Sequence, residues 1–144
     1  MNPPVALTES EVVQQVARAL PPGEYQRKRI LLIVPDATRS APVGLMFKTI
    51  YNQIGGVVRN LDVLVALGTH PPMTQAAICD SLEISREDRR GRYAGVQLFN
   101  HQWDNPAALV EVGVIPAGDI ASLTGGLFSM DVSVEINRLS LIHI

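Results

Sequence analysis

The chain has 144 residues, 47% of them hydrophobic and 18% charged, a balance that suits one folded domain with its own core and excludes disorder. A net charge of −2 supplies no basic footprint for nucleic acid. The single cysteine, Cys79, rules out an internal disulfide framework, Met1–Ser10 lacks the apolar centre of a signal peptide, and no 18-residue apolar run is present to cross a membrane; a cytoplasmic protein without membrane partners is expected.

Thr8-Glu9-Ser10-Glu11 is a capping-box signature for a first helix. Val12, Val13, Val16, Ala17 and Leu20 give that helix one apolar stripe, expected to pack on a sheet, and Pro21-Pro22-Gly23 ends it. Arg27-Lys28-Arg29 reads as a solvated strand entry, with a phosphate contact as the alternative. Ile30–Val34 is an unbroken apolar run, the pattern of a strand buried on both faces of a parallel sheet, and Pro35 ends it. A polar turn follows, Asp36-Ala37-Thr38-Arg39, and Pro42 suits the first turn of a helix with Ser40 or Ala41 near its N-cap. Val43, Met46, Phe47, Ile50 and Ile54 form one helical face, stopped by Gly55-Gly56. Leu61–Leu67 reads as a second strand, so the unit is β–α–β, which closes right-handed with its strands parallel.

That topology decides where the polar residues go. A second turn, Gly68-Thr69-His70-Pro71-Pro72-Met73-Thr74, follows the second strand. Parallel strands release both turns at one sheet edge, where open α/β sheets bind ligands. Asp36, Thr38, Arg39 and His70 therefore converge on one crevice: a carboxylate, a hydroxyl, a guanidinium and an imidazole. The alternative is an Asp–Arg pair that only braces its turn.

Beyond the crevice, a helix is expected from Thr74 to about Leu82, carrying Cys79 as a small buried or half-buried side chain. Ser85–Arg92 mixes both charge signs and reads as a solvated loop. Val96–Asn100 is a short strand leading to His101 and Asp104, which either join the site or cap a turn, while Trp103 is expected to fill a core edge. Ala108–Ile115 reads as a strand and Pro116-Ala117-Gly118-Asp119 as a turn. In Asp131–Asn137, Val132, Val134 and Ile136 alternate with Ser133, Glu135 and Asn137, as in a half-exposed strand. Gly125-Gly126 lacks a following helix signal and is not read as a phosphate loop. The expected fold class is α/β, a Rossmann-like three-layer arrangement with a mostly parallel sheet, incomplete at the C-terminal end, taken as one domain over residues 1–144.

Four pieces in order, Asp36-Ala37-Thr38-Arg39-Ser40-Ala41-Pro42, Gly68-Thr69-His70-Pro71-Pro72-Met73, Asn100-His101 with Asp104 and Pro106, and Glu135-Ile136-Asn137-Arg138, resemble the N-terminal domain of the lactate racemase family. Members of that family use a nickel-pincer nucleotide cofactor, and the resemblance runs over about residues 8–138. It implies that both turns line a racemase site for a small 2-hydroxy acid. Arg39 would bind the substrate carboxylate, Asp36 would support the site, and His70 would be one of two catalytic histidines. Thr38, Gly68, Thr69 and His101 would contact substrate or cofactor. Pro71 stands where the family often has arginine. The second histidine, the tethering lysine and the nickel ligand belong to a glycine-rich segment after the Asn-Arg strand in the family. No metal ligand is therefore expected within this chain. His143, in the apolar run Leu139–Ile144, takes none of those roles, and residues 139–144 are set apart as a tail that need not be native sequence.

The implied chemistry is consistent with these residue types. The C–H bond beside a carboxylate is hardly acidic, and a histidine of ordinary pKa, about 6.5, is too weak a base for it. General acid–base catalysis supplies roughly 10²–10⁴-fold, whereas enzymes reach about 10⁶-fold or more. A hydride acceptor must carry the hard step, leaving His70 the hydroxyl proton and Arg39 the carboxylate. A non-catalytic α/β domain binding a small anion or nucleotide at the same crevice is the competing reading.

Overall fold

The computed structural model describes residues 6–142, Ile142 by its backbone alone. These residues form two compact units that meet in sequence between His101 and Gln102, a division not apparent in the sequence pattern, which suggests one domain.

The first unit contains α1 (Glu9–Ala19), a 3-10 turn at Pro22–Tyr25, β1 (Arg29–Pro35), α2 (Val43–Ile54), β2 (Asn60–Ala66), α3 (Gln75–Ser81), α4 (Arg86–Arg90) and β3 (Leu98–Asn100). Its three strands pair in parallel in the order β1-β2-β3. The register sets Ile30, Leu32 and Val34 beside Leu61, Val63 and Val65, with Leu98 and Asn100 continuing that row on β3. This face holds the core: Phe47 and Ile54 of α2 and Ile78 and Leu82 at α3 pack with Leu61, Val63, Val65 and Leu67. Burial of these aliphatic and aromatic side chains is the main driving force for the unit, each fully buried one contributing roughly 1.5–3 kcal/mol.

The opposite row of β1 is different. Ile33 is 60% exposed while Leu31 on the same row is half-buried, so the apolar run of β1 is not covered on both faces along its whole length. Period-two geometry puts Ile33 on the side away from α2, and apolarity alone does not reveal which side is covered.

The helix termini follow their side chains. Thr8 and Glu11 form the expected capping box, with the Thr8 hydroxyl accepting from the Glu11 N–H and the Glu11 carboxylate accepting from the Thr8 N–H. Of the stripe on α1 only Val16 is fully buried, and the principal neighbour of α1 is α2 rather than the sheet. Pro42 is itself the N-cap of α2, one position earlier than its usual place inside the first turn. Ser85–Arg92 is not all loop. Ser85 accepts from the Asp88 N–H and donates to its carboxylate, starting α4, a capping geometry hidden in a run of charges.

The second unit contains a 3-10 turn at Pro106–Ala108, β4 (Leu109–Ile115), α5 (Ala117–Leu123), β5 (Val132–Asn137) and α6 (Leu139–Ile142). β4 and β5 pair antiparallel, with a register shift between Glu111 and Gly113. The turn expected at Pro116–Asp119 instead opens α5, whose Ala117 N–H is taken by the Asp131 carboxylate. Arg138 ties the end of β5 back to the start of β4 by donating to the carbonyls of Ala107 and Leu109. Trp103 is 47% exposed and fills no core edge, because the two-stranded sheet provides little core to receive it. His143 lies outside the described residues. No helix among the described residues is long and apolar enough to cross a membrane.

Candidate active site

Two turns leave the carboxyl ends of adjacent parallel strands, β1 and β2. In the first, the Asp36 carboxylate closes an Asx turn: its Oδ1 accepts from the Thr38 N–H at 3.1 Å and from the Thr38 hydroxyl at 2.6 Å. The Arg39 N–H reaches the Asp36 carbonyl at 3.3 Å. The Arg39 side chain is exposed and has no hydrogen-bond or ion-pair partner among the described residues. In the second turn Gly68 takes φ +58°, a conformation suited to glycine, and the His70 N–H closes onto the Leu67 carbonyl at 3.1 Å.

The turns meet through their side chains. His70 Nδ1 lies 2.5 Å from Asp36 Oδ2. Asp36 is buried, whereas the His70 side chain is 55% exposed. The hydrogen bond from the Thr38 hydroxyl, followed by that from His70, lowers the Asp36 carboxyl to about 2, against the opposing effect of burial. Asp36 is therefore an ionised, acceptor-only group near neutral pH, so the Nδ1 nitrogen must carry the proton between them. Neutral His70 then has its lone pair on Nε2. This fixes which nitrogen of His70 can act as a base.

A cavity of about 440 Å³ opens at this point. Its walls are the strand ends from Ile33 to Pro35 with Ala66 and Leu67, and from the turns Asp36, Thr38, Arg39, Gly68, Thr69 and His70. An exposed guanidinium, an anchored carboxylate and an oriented imidazole thus share one space with an apolar wall. His101 is not part of that wall. Its main-chain N–H donates to the Val65 carbonyl at 3.0 Å, extending the pairing of β2 and β3. A second cleft, of about 350 Å³, is lined by α3 and α4 and by Arg86, Arg89 and Arg90; it contains no histidine.

Residues 10–139 match the family described as the lactate racemase N-terminal domain. The chain belongs to this family. A crystal structure of a protein from Thermotoga maritima is similar, with a TM-score of 0.79 and 30% identity, over 92% of this chain and 30% of that one. The chain therefore spans less than a third of that protein's length. No curated protein matches it.

In this lactate racemase N-terminal domain the matched span takes in both turns and His101. Among the described residues no group of three or more His, Cys, Asp or Glu stands together to hold a metal ion. Three residues were given no role in the site from sequence. Ile33 and Ala66 contribute to the apolar wall, and the only sequence signal for them is their position near the ends of two adjacent strands. Asn100, quoted only as part of a motif, is the third, and its side chain bonds the main chain of Met73.

Proposed function

We propose that this domain forms the substrate-binding and proton-transfer half of a racemase or epimerase site for a 2-hydroxy acid. Arg39 presents a planar guanidinium free to take both oxygens of a carboxylate. His70 Nε2 accepts the proton of the substrate hydroxyl. Asp36 holds the imidazole in the required tautomer and stabilises the imidazolium that forms. Ile33 and Ala66 offer an apolar surface to the rest of the acid. The nickel-pincer nucleotide, when bound, supplies the hydride acceptor that a histidine cannot replace. The observation that carries this reading is the 2.5 Å contact from His70 Nδ1 to a buried, ionised Asp36 in the cavity that the exposed Arg39 also lines.

The test uses cofactor-loaded enzyme carrying this domain. His70→Ala and His70→Gln should each lose racemisation by at least roughly 10²-fold, the least expected of a positioned general base, with melting temperatures close to wild type. Arg39→Lys keeps the charge but not the fork, and should weaken lactate binding by roughly 1.5–3 kcal/mol. Activity largely restored by Gln, or unfolding of both His70 variants, would make His70 a turn residue. Carboxylate binding that survives without any racemisation in the wild type would leave an anion-binding domain instead.

A further inference from the structure

We infer that Asn100 is a positioning residue for His70, acting through the main chain of Met73. Asn100 ends β3 on the same face as Leu98, Val63 and Val65, the face that receives α3. Its side-chain amide forms a closed pair with one residue of the loop: Oδ1 accepts from the Met73 N–H at 3.0 Å, and Nδ2 donates to the Met73 carbonyl at 2.8 Å. A side chain here does what a neighbouring strand would do, satisfying donor and acceptor of one peptide segment together. Asparagine is suited to this because it carries both an acceptor and a donor at its tip.

The loop between Met73 and His70 transmits that anchoring. It consists of Pro71 and Pro72 alone, each with φ held near about −65° by its ring. His70, as the residue before a proline, is itself confined to extended conformations. At the other end the Gly68 turn and the Leu67 carbonyl fix the His70 N–H. His70 thus stands on a short, stiff arm secured at both ends, and Asn100 is the side chain that secures the far end. With Met73 released, the arm regains freedom just where His70 Nδ1 must stay within 2.5 Å of Asp36. The catalytic meaning of this clamp rests on the racemase reading, but its effect on the imidazole does not.

The experiment reads the imidazole directly. Imidazole nitrogen shifts of His70 report which nitrogen carries the proton, and carboxyl carbon shifts report the titration of Asp36. Both are measured in the wild-type chain and in Asn100→Ala, Asn100→Asp and Gln75→Ala. Gln75 is the control, because its side chain donates to the Leu98 carbonyl on the same strand rather than to Met73. The wild type should show His70 protonated on Nδ1. In Asn100→Ala, and in Asn100→Asp, where a carboxylate faces the Met73 carbonyl, the population should shift toward the Nε2–H form, and the Asp36 pKa should rise from about 2 toward 3.8. Gln75→Ala should leave both signals in place. In cofactor-loaded enzyme carrying this domain, Asn100→Ala should lower kcat at least about tenfold with a smaller change in KM.

Unchanged His70 and Asp36 signals in a folded Asn100 variant would overturn the inference. So would an equal change in Gln75→Ala, or the failure of both Asn100 variants to fold, either of which would give Asn100 a general role in the fold. A shifted tautomer in an enzyme that turns over no 2-hydroxy acid would uphold the clamp and refute the racemase reading.

Discussion

β2 and β4 are each seven residues long and mostly aliphatic, yet they end up in opposite environments. In β2, Leu61 to Val65 are all buried; in β4 no residue is. The difference lies in their neighbours. β2 is flanked by β1 and β3 and covered by α2 and α3 through the core cluster. β4 has one partner, β5, and the pairing slips at Glu111 and Gly113. A strand's apolar content permits burial, but flanking strands and a covering layer produce it. The candidate site is attached to the buried pair. Asp36 directly follows β1 and His70 comes four residues after the end of β2, so their separation inherits the rigidity of those two strands.

The largest expected effect comes from attacking the buried side of that contrast. Phe47 is 1% exposed and packs against Tyr51 and Tyr93. Phe47→Ala should cost about 3–5 kcal/mol, as lost burial and an unfilled cavity add. Val114 on β4 is 48% exposed, and Val114→Ala should stay within about 0.5 kcal/mol. Urea unfolding of both variants checks this, and amide exchange should show β2 among the slowest and β4 among the fastest strand amides. Comparable losses in the two variants would break the comparison.

A smaller effect sharpens it through two glycines. Neither Gly68 after β2 nor Gly113 in β4 has an atom within 4 Å of the place a Cβ would occupy, so packing does not distinguish them. Only Gly68 has a positive φ, +58°. Gly68→Ala should therefore cost about 1–2 kcal/mol from backbone strain alone and loosen the His70 turn. Gly113→Ala should be stabilising by about 0.4–1 kcal/mol, by restricting the unfolded chain. Thermal melts of the pair decide it, and equal losses would show that strain at Gly68 is not the cause.

What the sequence made legible follows the same division. The β–α–β unit, the convergence of Asp36, Arg39 and His70, and the face of α2 except Met46, which is 37% exposed, were readable because period, turn chemistry and right-handed crossover all point one way. Thr38 was readable as an Asx-turn partner in principle, two residues after Asp36. The exposure of Ile33 was not, since a continuous apolar run is the same whether one face or both are covered. Nor was α4, where the Ser85–Asp88 cap is masked by charges, or α5, whose Pro-Ala-Gly-Asp start imitates a turn. The position of Trp103 escaped because it depends on how much core the second unit provides. Asn100 escaped for a related reason: its role exists only once β3 lies beside the loop before α3.

The narrowest effect is confined to acid pH and concerns Asp36. Its folded pKa is about 2 and its ordinary value 3.8. As pH falls, the unfolded chain takes up the proton first, so the native state loses a stabilising contribution through the interval between those values. That contribution is complete above about pH 5 and gone below about pH 2. Asp36→Asn has no proton to take up, so its melting temperature should fall less steeply between pH 4 and pH 2 than that of the wild type. The same variant also tests the site near neutral pH. Its amide oxygen can keep the Thr38 bonds while the amide nitrogen donates toward His70, which must then place its own proton on Nε2 and lose the lone pair assigned to the substrate hydroxyl. A folded Asp36→Asn enzyme should therefore racemise poorly near neutral pH, at temperatures well below its own melting point. Parallel melting curves down to pH 2 would show that Thr38 and His70 do not hold the carboxyl down, and full activity in Asp36→Asn would show that the tautomer they set is not used.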